Sequence, residues 1–280
     1  MMNARDGPRP TQFSVLIPVY EKNDASQVDD ALESTISQTT PPDQMVVVVD
    51  GPVPTRVDET IHGWSSEHPE TVDVVQLEEN RGLENALNVG LERCDHELVA
   101  RMDADDVSSE TRFERQLEVF RRQPDVDVVG GYVGEFVDDP DQVSHVRTVP
   151  TAPAEIERFA RFRSPINHPT VMYKKSQVQA AGGYRTIPGV GDYELWVRLL
   201  ERGNVLRNVP AVLVYMRAGA EMYRRRGGIG YARTEFRLQK EFLERGFIPP
   251  RVFLLNVGLR IPLRLLPNGA RRLLYSRFLR

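Results

Sequence analysis

Four apolar runs punctuate the first hundred residues. FSVLIPVY (13–20) and MVVVVD (45–50) are apolar at nearly every position, which suits strands covered on both faces better than the alternation of a half-exposed sheet. VDVVQL (72–77) and LVARMD (98–103) predict a third and a fourth strand. Between them the apolar positions recur every three or four residues, first Val28, Leu32 and Ile36, then Leu83, Leu87 and Leu91. That is the period of a helix with one buried face. Ser26 with Asp29 reads as a capping box for the first of these helices. Strand and helix in alternation predict right-handed βαβ units and a mostly parallel sheet flanked by helices, an α/β fold.

Beyond the fourth run, Ser108 or Ser109 is placed to cap a helix whose Phe113, Leu117 and Phe120 face inward until Pro124 stops it. The second half is less regular. VDVVGGYVGEFVDD and VSHVRTVP predict short mixed strands, 153–163 a helix, and YELWVRLLERG another helix ending at Gly203. No repeat or low-complexity linker interrupts the chain. The pattern predicts one domain over residues 1–217, with a basic helical extension over 218–280 broken at Pro262 and Pro267.

The end of the fourth run carries the first sign of chemistry. LVARMDADDVSSETRFERQ (98–116) leads a buried strand straight into Asp103, Asp105 and Asp106. Carboxylates this close repel one another, so the spacing predicts a cation partner that the sequence does not contain. In extended backbone residues 103 and 105 share a face, and two hard oxygen ligands suit Mg²⁺ or Mn²⁺. Such an ion completes its shell with waters and phosphate oxygens, which points to a nucleotide or diphosphate ester as substrate. Ligands of open α/β sheets bind beyond the carboxyl ends of the strands, where Pro18 to Glu21, Asp50 and Asp103 all fall. The plainer alternative is a solvated helix N-terminus, where acidic residues are favoured by the helix dipole. A calcium loop does not fit, because Val107 and Ser108 occupy the places of an oxygen ligand and the turn glycine. GxGxxG and GxxxxGK[ST] are absent at the strand ends, which argues against dinucleotide and P-loop sites.

Charge changes the picture of the two halves. Residues 1–145 carry a net −20 and residues 146–280 a net +16, within an overall −4. From Gly246 onward there are seven arginines and no acidic residue. Short amphipathic helices lying on an anionic membrane surface fit that composition; a helix pair packed on the catalytic domain or on a partner is the rival. MYRRRGG (222–228) offers arginines that could clamp phosphate oxygens. Nucleic acid is not an expected partner, since the tail lacks a recognition motif and the first half is acidic. Cys94 is the only cysteine, so neither an internal disulfide nor a thiolate zinc cluster is possible, and the five histidines are scattered. No apolar run reaches the length of a membrane span and the N-terminus does not resemble a secretory signal, so a cytoplasmic protein, peripheral on the inner face of the cell membrane, is expected.

FSVLIPVYEKND, VVVVDGP, ENRGLENALNVGLERC, VARMDADD, RFERQ, SPINHPTVMYKKS, AAGGY and GDYELWVRLLERG follow one another in an order that resembles the family 2 glycosyltransferases of the GT-A (Rossmann-like) fold. The nearest likeness is to the amylovoran-type exopolysaccharide glycosyltransferases, over about residues 13–217. The resemblance implies transfer of a sugar from a UDP-, GDP- or dTDP-sugar to a hydroxyl of a glycan or lipid-linked acceptor, with inversion and a divalent metal. It places the nucleotide against Pro18, Val19, Tyr20, Glu21 and Asp50, and Asn80, Arg81 and Gly82 near the donor. Asp103, Ala104 and Asp105 form the DXD motif, whose two aspartates hold ribose and metal, Asp105 more directly. Asp192 matches the acid that serves as general base, while Gly191 stands where the family carries a glutamate.

Other readings attach to several of these residues. Asp192 could cap the helix that follows, Tyr193 could stack on an acceptor, and His168 could contact phosphate or be a satisfied structural histidine. Trp196 and Leu195 fit the core. A nucleotidyltransferase would share the sheet and the acids but wants a glycine-rich loop where PVYEKND stands. A non-catalytic membrane-surface binding protein is the remaining alternative.

Overall fold

The computed structural model describes residues 11–218 and 228–265. The four apolar runs form β1 (Phe13–Tyr20), β2 (Gln44–Asp50), β3 (Val72–Gln76) and β4 (Leu98–Arg101), joined through α1 (Ala25–Ile36), α2 (Thr55–Glu67) and α3 (Leu83–Arg93). β3, β2, β1 and β4 lie side by side, all parallel. Alternate side chains of β1 leave the sheet in opposite directions. Phe13, Val15, Ile17 and Val19 enter one core with Val28 and Leu32 of α1, while Leu16 joins Leu87 and Leu91 of α3 in the other. This two-sided burial is why the runs are apolar at every position rather than every second one.

The sheet then becomes mixed. β5 (Val107–Ser108) and α4 (Arg112–Arg122) precede β6 (Val126–Phe136), β7 (His145–Arg147), α5 (Pro153–Ala160), a 3₁₀ turn (His168–Thr170) and β8 (Met172–Lys174). α6 (Lys175–Ala180), α7 (Gly191–Glu201) and β9 (Val205–Arg217) complete the unit. The strand order is β3-β2-β1-β4-β8-β6-β9-β5, with β7 on β6. β8 is antiparallel to both β4 and β6, while β6 and β9 run parallel. VDVVGGYVGEF is one strand of 11 residues rather than several short ones, because β9 pairs along its whole length across bulges at Gly131 and Tyr132.

Several predicted ends move. The first cap is Asp24, whose carboxylate accepts from the Ser26 N–H, not the Ser26–Asp29 box. Ser108 is spent in β5, and α4 starts after Thr111 without a side-chain cap. Asp192 lies within the first turn of α7, two residues past the cap position at Val190. Leu83 is 41 % exposed, so only Leu87 and Leu91 of that triplet are core. Trp196 and Leu195 are fully buried, as expected.

Past the sheet, α8 (Ile229–Glu244) and α9 (Pro250–Leu265) form a helical pair, and Pro262 lies inside α9 instead of ending it. Leu238, Phe242 and Ile248 pack on Val190, Tyr193 and Val197 of the α7 region. Glu194 of α7, fully buried, is held by Arg198 at 2.8 Å and by Arg185 and Arg245 at 3.2 Å, which ties the end of α8 to the sheet unit. The described part of the extension is a helix pair packed on the sheet unit through α8. The arginines of MYRRRGG, Pro267 and the last residues lie outside the described residues.

Candidate active site

The carboxyl ends of β1, β2 and β4 open into a cleft of about 1090 Å³ whose far side is the start of α7. In the β1–β2 register Tyr20 lies beside Asp50. Pro18, Tyr20 and Glu21 line the cleft, and Lys22 and Asn23 join them, with Asn23 Oδ1 accepting from the Tyr20 N–H at 2.8 Å. Val19 lines the cleft as well, although its side chain is almost wholly buried.

Asp50 is 4 % exposed, and its two oxygens accept from the N–H groups of Arg81 at 2.8 Å and Gly82 at 2.9 Å. It therefore ties the 80–82 turn to the end of β2. The turn can approach because Gly51, at φ 81°, has no side chain; a Cβ there would lie 2.5 Å from the Asn80 nitrogen. Asn80 and Gly82 line the cleft. The Arg81 main chain serves Asp50, and its exposed guanidinium pairs with Glu79 at 3.0 Å.

The acidic cluster contains more of its own compensation than the sequence suggested. Arg101 and Asp103 are two residues apart on extended chain and share a face. Arg101, 2 % exposed, grips Asp103 with both terminal nitrogens, Nη1 at 2.6 Å from Oδ2. Asp106 is buried, with Oδ1 accepting from the Arg217 N–H at 3.1 Å. Burial first, then the charges of Asp103 and Asp105, push its carboxyl well above the usual range. Beneath the loop Arg112 is fully buried and donates to the Arg101 carbonyl at 2.5 Å, Ser108 Oγ at 3.1 Å and Gln116 Oε1 at 3.3 Å. Burial brings its guanidinium down to about 9, aided by the charge of Arg101.

Asp103, Ala104 and Asp105 all line the cleft. Among the described residues no three His, Cys, Asp or Glu side chains converge as a metal cage. The donor set is two carboxylates, of which Asp103 is gripped by Arg101. Such a set fits a hard divalent ion that draws most of its ligands from water and a diphosphate.

Across the cleft, Asp192 and Glu84 line the same wall. His168 sits beneath, its Nε2 3.2 Å from the Tyr184 hydroxyl and its ring edge-on to Trp196. Burial first, and then Arg101, depress its pKa well below the usual histidine value, and it lines the cleft. Tyr193 is not available for stacking. Its hydroxyl donates to the Ala160 carbonyl at 2.6 Å and its ring packs on Phe242, which fixes α7 against α5 and α8. Leu255, Leu259, Leu263, Arg260 and Arg264 of α9 form the outer wall.

Arg101, Arg112, Glu84 and the α9 wall escaped the sequence reading. The two-residue spacing in RMD could have paired Arg101 with Asp103, and the RFERQ motif contains Arg112. Nothing in the helical pattern of α9 signals that it closes a cleft begun by β1.

The sequence profile of glycosyl transferase family 2 matches residues 14–177, from β1 into α6, and so spans the ends of β1, β2 and β4. The chain belongs to this family. The glycosyltransferase is 37% identical over 269 residues to an uncharacterized glycosyltransferase of Haemophilus influenzae, covering 96% of this chain and 99% of that one. It is 35% identical to the UDP-Gal:alpha-D-GlcNAc-diphosphoundecaprenol beta-1,3-galactosyltransferase of Escherichia coli, over 96% of this chain and 97% of that one. Among solved structures, the mannosyltransferase PcManGT from Pyrobaculum calidifontis, in complex with GDP-Man and Mn²⁺, superposes with a TM-score of 0.64 at 18% identity, over 95% of this chain and 75% of that one. At that identity the likeness speaks for the GT-A fold.

Proposed function

We propose that this glycosyltransferase moves a sugar, with inversion, from a nucleotide-sugar donor to a hydroxyl of a lipid-linked diphosphate acceptor in surface polysaccharide or glycan synthesis. One observation carries the reading: the cleft sets the Tyr20–Asp50 and Asp103–Asp105 strand ends on one side and Asp192 on the other. The nucleotide lies against Pro18, Tyr20, Glu21 and Asp50, with Asn80 and Gly82 at the sugar side. Asp105, with Asp103 held in place by Arg101, would hold Mg²⁺ or Mn²⁺, which when bound offsets the negative charge that develops on the leaving diphosphate. Asp192 accepts the proton of the incoming hydroxyl, and a positioned carboxylate is worth ~10²–10⁴ in rate. A single displacement with one base inverts the anomeric carbon.

The outer wall supports a lipid-linked acceptor. Leu255, Leu259 and Leu263 offer apolar surface where an isoprenoid chain would leave the cleft, beside Arg260 and Arg264, which are both paired with the buried Glu235. No helix among the described residues is long and apolar enough to cross a membrane, so contact with a bilayer would be peripheral. The acceptor named for the Escherichia coli relative is of this class. Testing Asp192→Asn against a panel of UDP-, GDP- and dTDP-sugars should leave Mn²⁺-dependent thermal stabilisation by the true donor intact and abolish transfer. A variant that still transfers at the wild-type rate, or a product of retained configuration, would overturn the assignment.

A further inference from the structure

Gly191 opens α7 directly before Asp192. The space its side chain would take is filled from another element. A Cβ on Gly191 would lie 3.0 Å from Oε1 and 3.4 Å from Cγ of Glu84, and 2.9 Å from the Arg185 carbonyl. Glu84 belongs to the first turn of α3, which follows the 80–82 turn, and it lines the cleft together with Asp192. Its side chain therefore lies close to the bare backbone of Gly191.

An acidic residue in the first turn of a helix has an ordinary explanation, since the helix dipole favours it there. That explanation asks for a solvated carboxylate with a lowered pKa. For Glu84, burial first and the charge of Asp192 outweigh the hydrogen bond from its own backbone and raise it above the usual carboxylate range. It is half-buried and lines the cleft with Asp192.

We propose that Glu84, reaching the cleft from α3 beside Asp192, binds an acceptor hydroxyl adjacent to the one Asp192 deprotonates. The inference rests on Asp192 being the base. Glu84 does not take up the reacting proton; it fixes the rotation of the acceptor ring so that the attacking oxygen meets Asp192 on one side and the anomeric carbon on the other.

The test uses the full chain with UDP-galactose as donor and a synthetic GlcNAc-diphosphate lipid as acceptor, on Glu84→Gln, Glu84→Gly and the exchange variant Glu84→Gly with Gly191→Glu. Acceptor KM should rise about tenfold or more in both single variants, the loss of one hydrogen bond to a charged group, while donor KM and the melting temperature stay at wild-type values. The exchange variant should recover part of the lost acceptor affinity, as the 185–190 loop yields to the new side chain. Unchanged acceptor KM in Glu84→Gln, or an exchange variant no better than Glu84→Gly, would overturn the proposal. Asp192→Asn in the same assay separates the two readings. If it transfers normally, the base assignment falls and this inference with it; if it is dead while the Glu84 variants are normal, only this inference falls.

Discussion

Arg112 is the residue on which the geometry of the acidic loop rests, and replacing it gives a measurable forecast. Arg112→Leu removes the donors to the Arg101 carbonyl, Ser108 Oγ and Gln116 Oε1 from a site with no solvent exposure. The serine hydroxyl can turn elsewhere, but the Arg101 carbonyl and the glutamine oxygen lose a buried partner, at ~1–3 kcal/mol each. Relief of a buried guanidinium offsets part of this, because the site disfavours the charge enough to bring its pKa down to about 9. The net expectation is a destabilisation of roughly 2–4 kcal/mol, or very roughly 5–12 °C in Tm for a domain of this size. Urea unfolding followed by the fluorescence of Trp196, which is fully buried, measures it directly. Arg112→Lys keeps a charge but loses the planar fork and should fall between. Since Arg101 carries Asp103, donor-induced stabilisation should weaken in both variants. An Arg112→Leu protein within about 0.5 kcal/mol of wild type would refute the bracing role.

His168 predicts a pH dependence. Its folded pKa is depressed by burial and by Arg101, whereas the unfolded chain takes up the proton near the ordinary value. Below that value the unfolded state binds more protons than the folded one, so the stability contribution is whole above about pH 6.5 and is lost as pH falls below it. The slope of Tm against pH between about 5 and 6.5 should therefore be shallower in His168→Gln than in wild type; equal slopes would refute this. On α9, Leu254 and Leu259 are 68 % and 60 % exposed. Leu254→Ser with Leu259→Ser should cut sedimentation with anionic vesicles roughly tenfold or more without lowering Tm, and unchanged sedimentation would remove the membrane-facing role.

The parallel half of the sheet was legible because each strand there is covered on both faces and each helix on one, so burial writes itself into the sequence as unbroken or 3.6-periodic apolar runs. Helix starts were less legible. Asp24 wins the first cap over Ser26 because the chain geometry before the helix, not the residue type, decides which side chain reaches the open N–H groups. The DXD pair, Asp50 and Asp192 were visible as acids at strand ends or at a helix start, since chemistry of this kind needs those residue types wherever the fold places them.

Residue types alone could nominate carboxylates but could not pair them. That the Arg81 main chain serves Asp50, that Tyr193 is consumed by packing and that α9 walls the cleft depend on contacts between segments far apart in the chain. Glu84 and Gly191 are separated by more than a hundred positions, and only folding brings a glutamate of one helix over the missing side chain of another. Local periodicity reports how a segment meets the core. Which two segments share a wall is set by the whole arrangement of sheet and helices, because that arrangement alone determines which side chains compete for the same few ångströms.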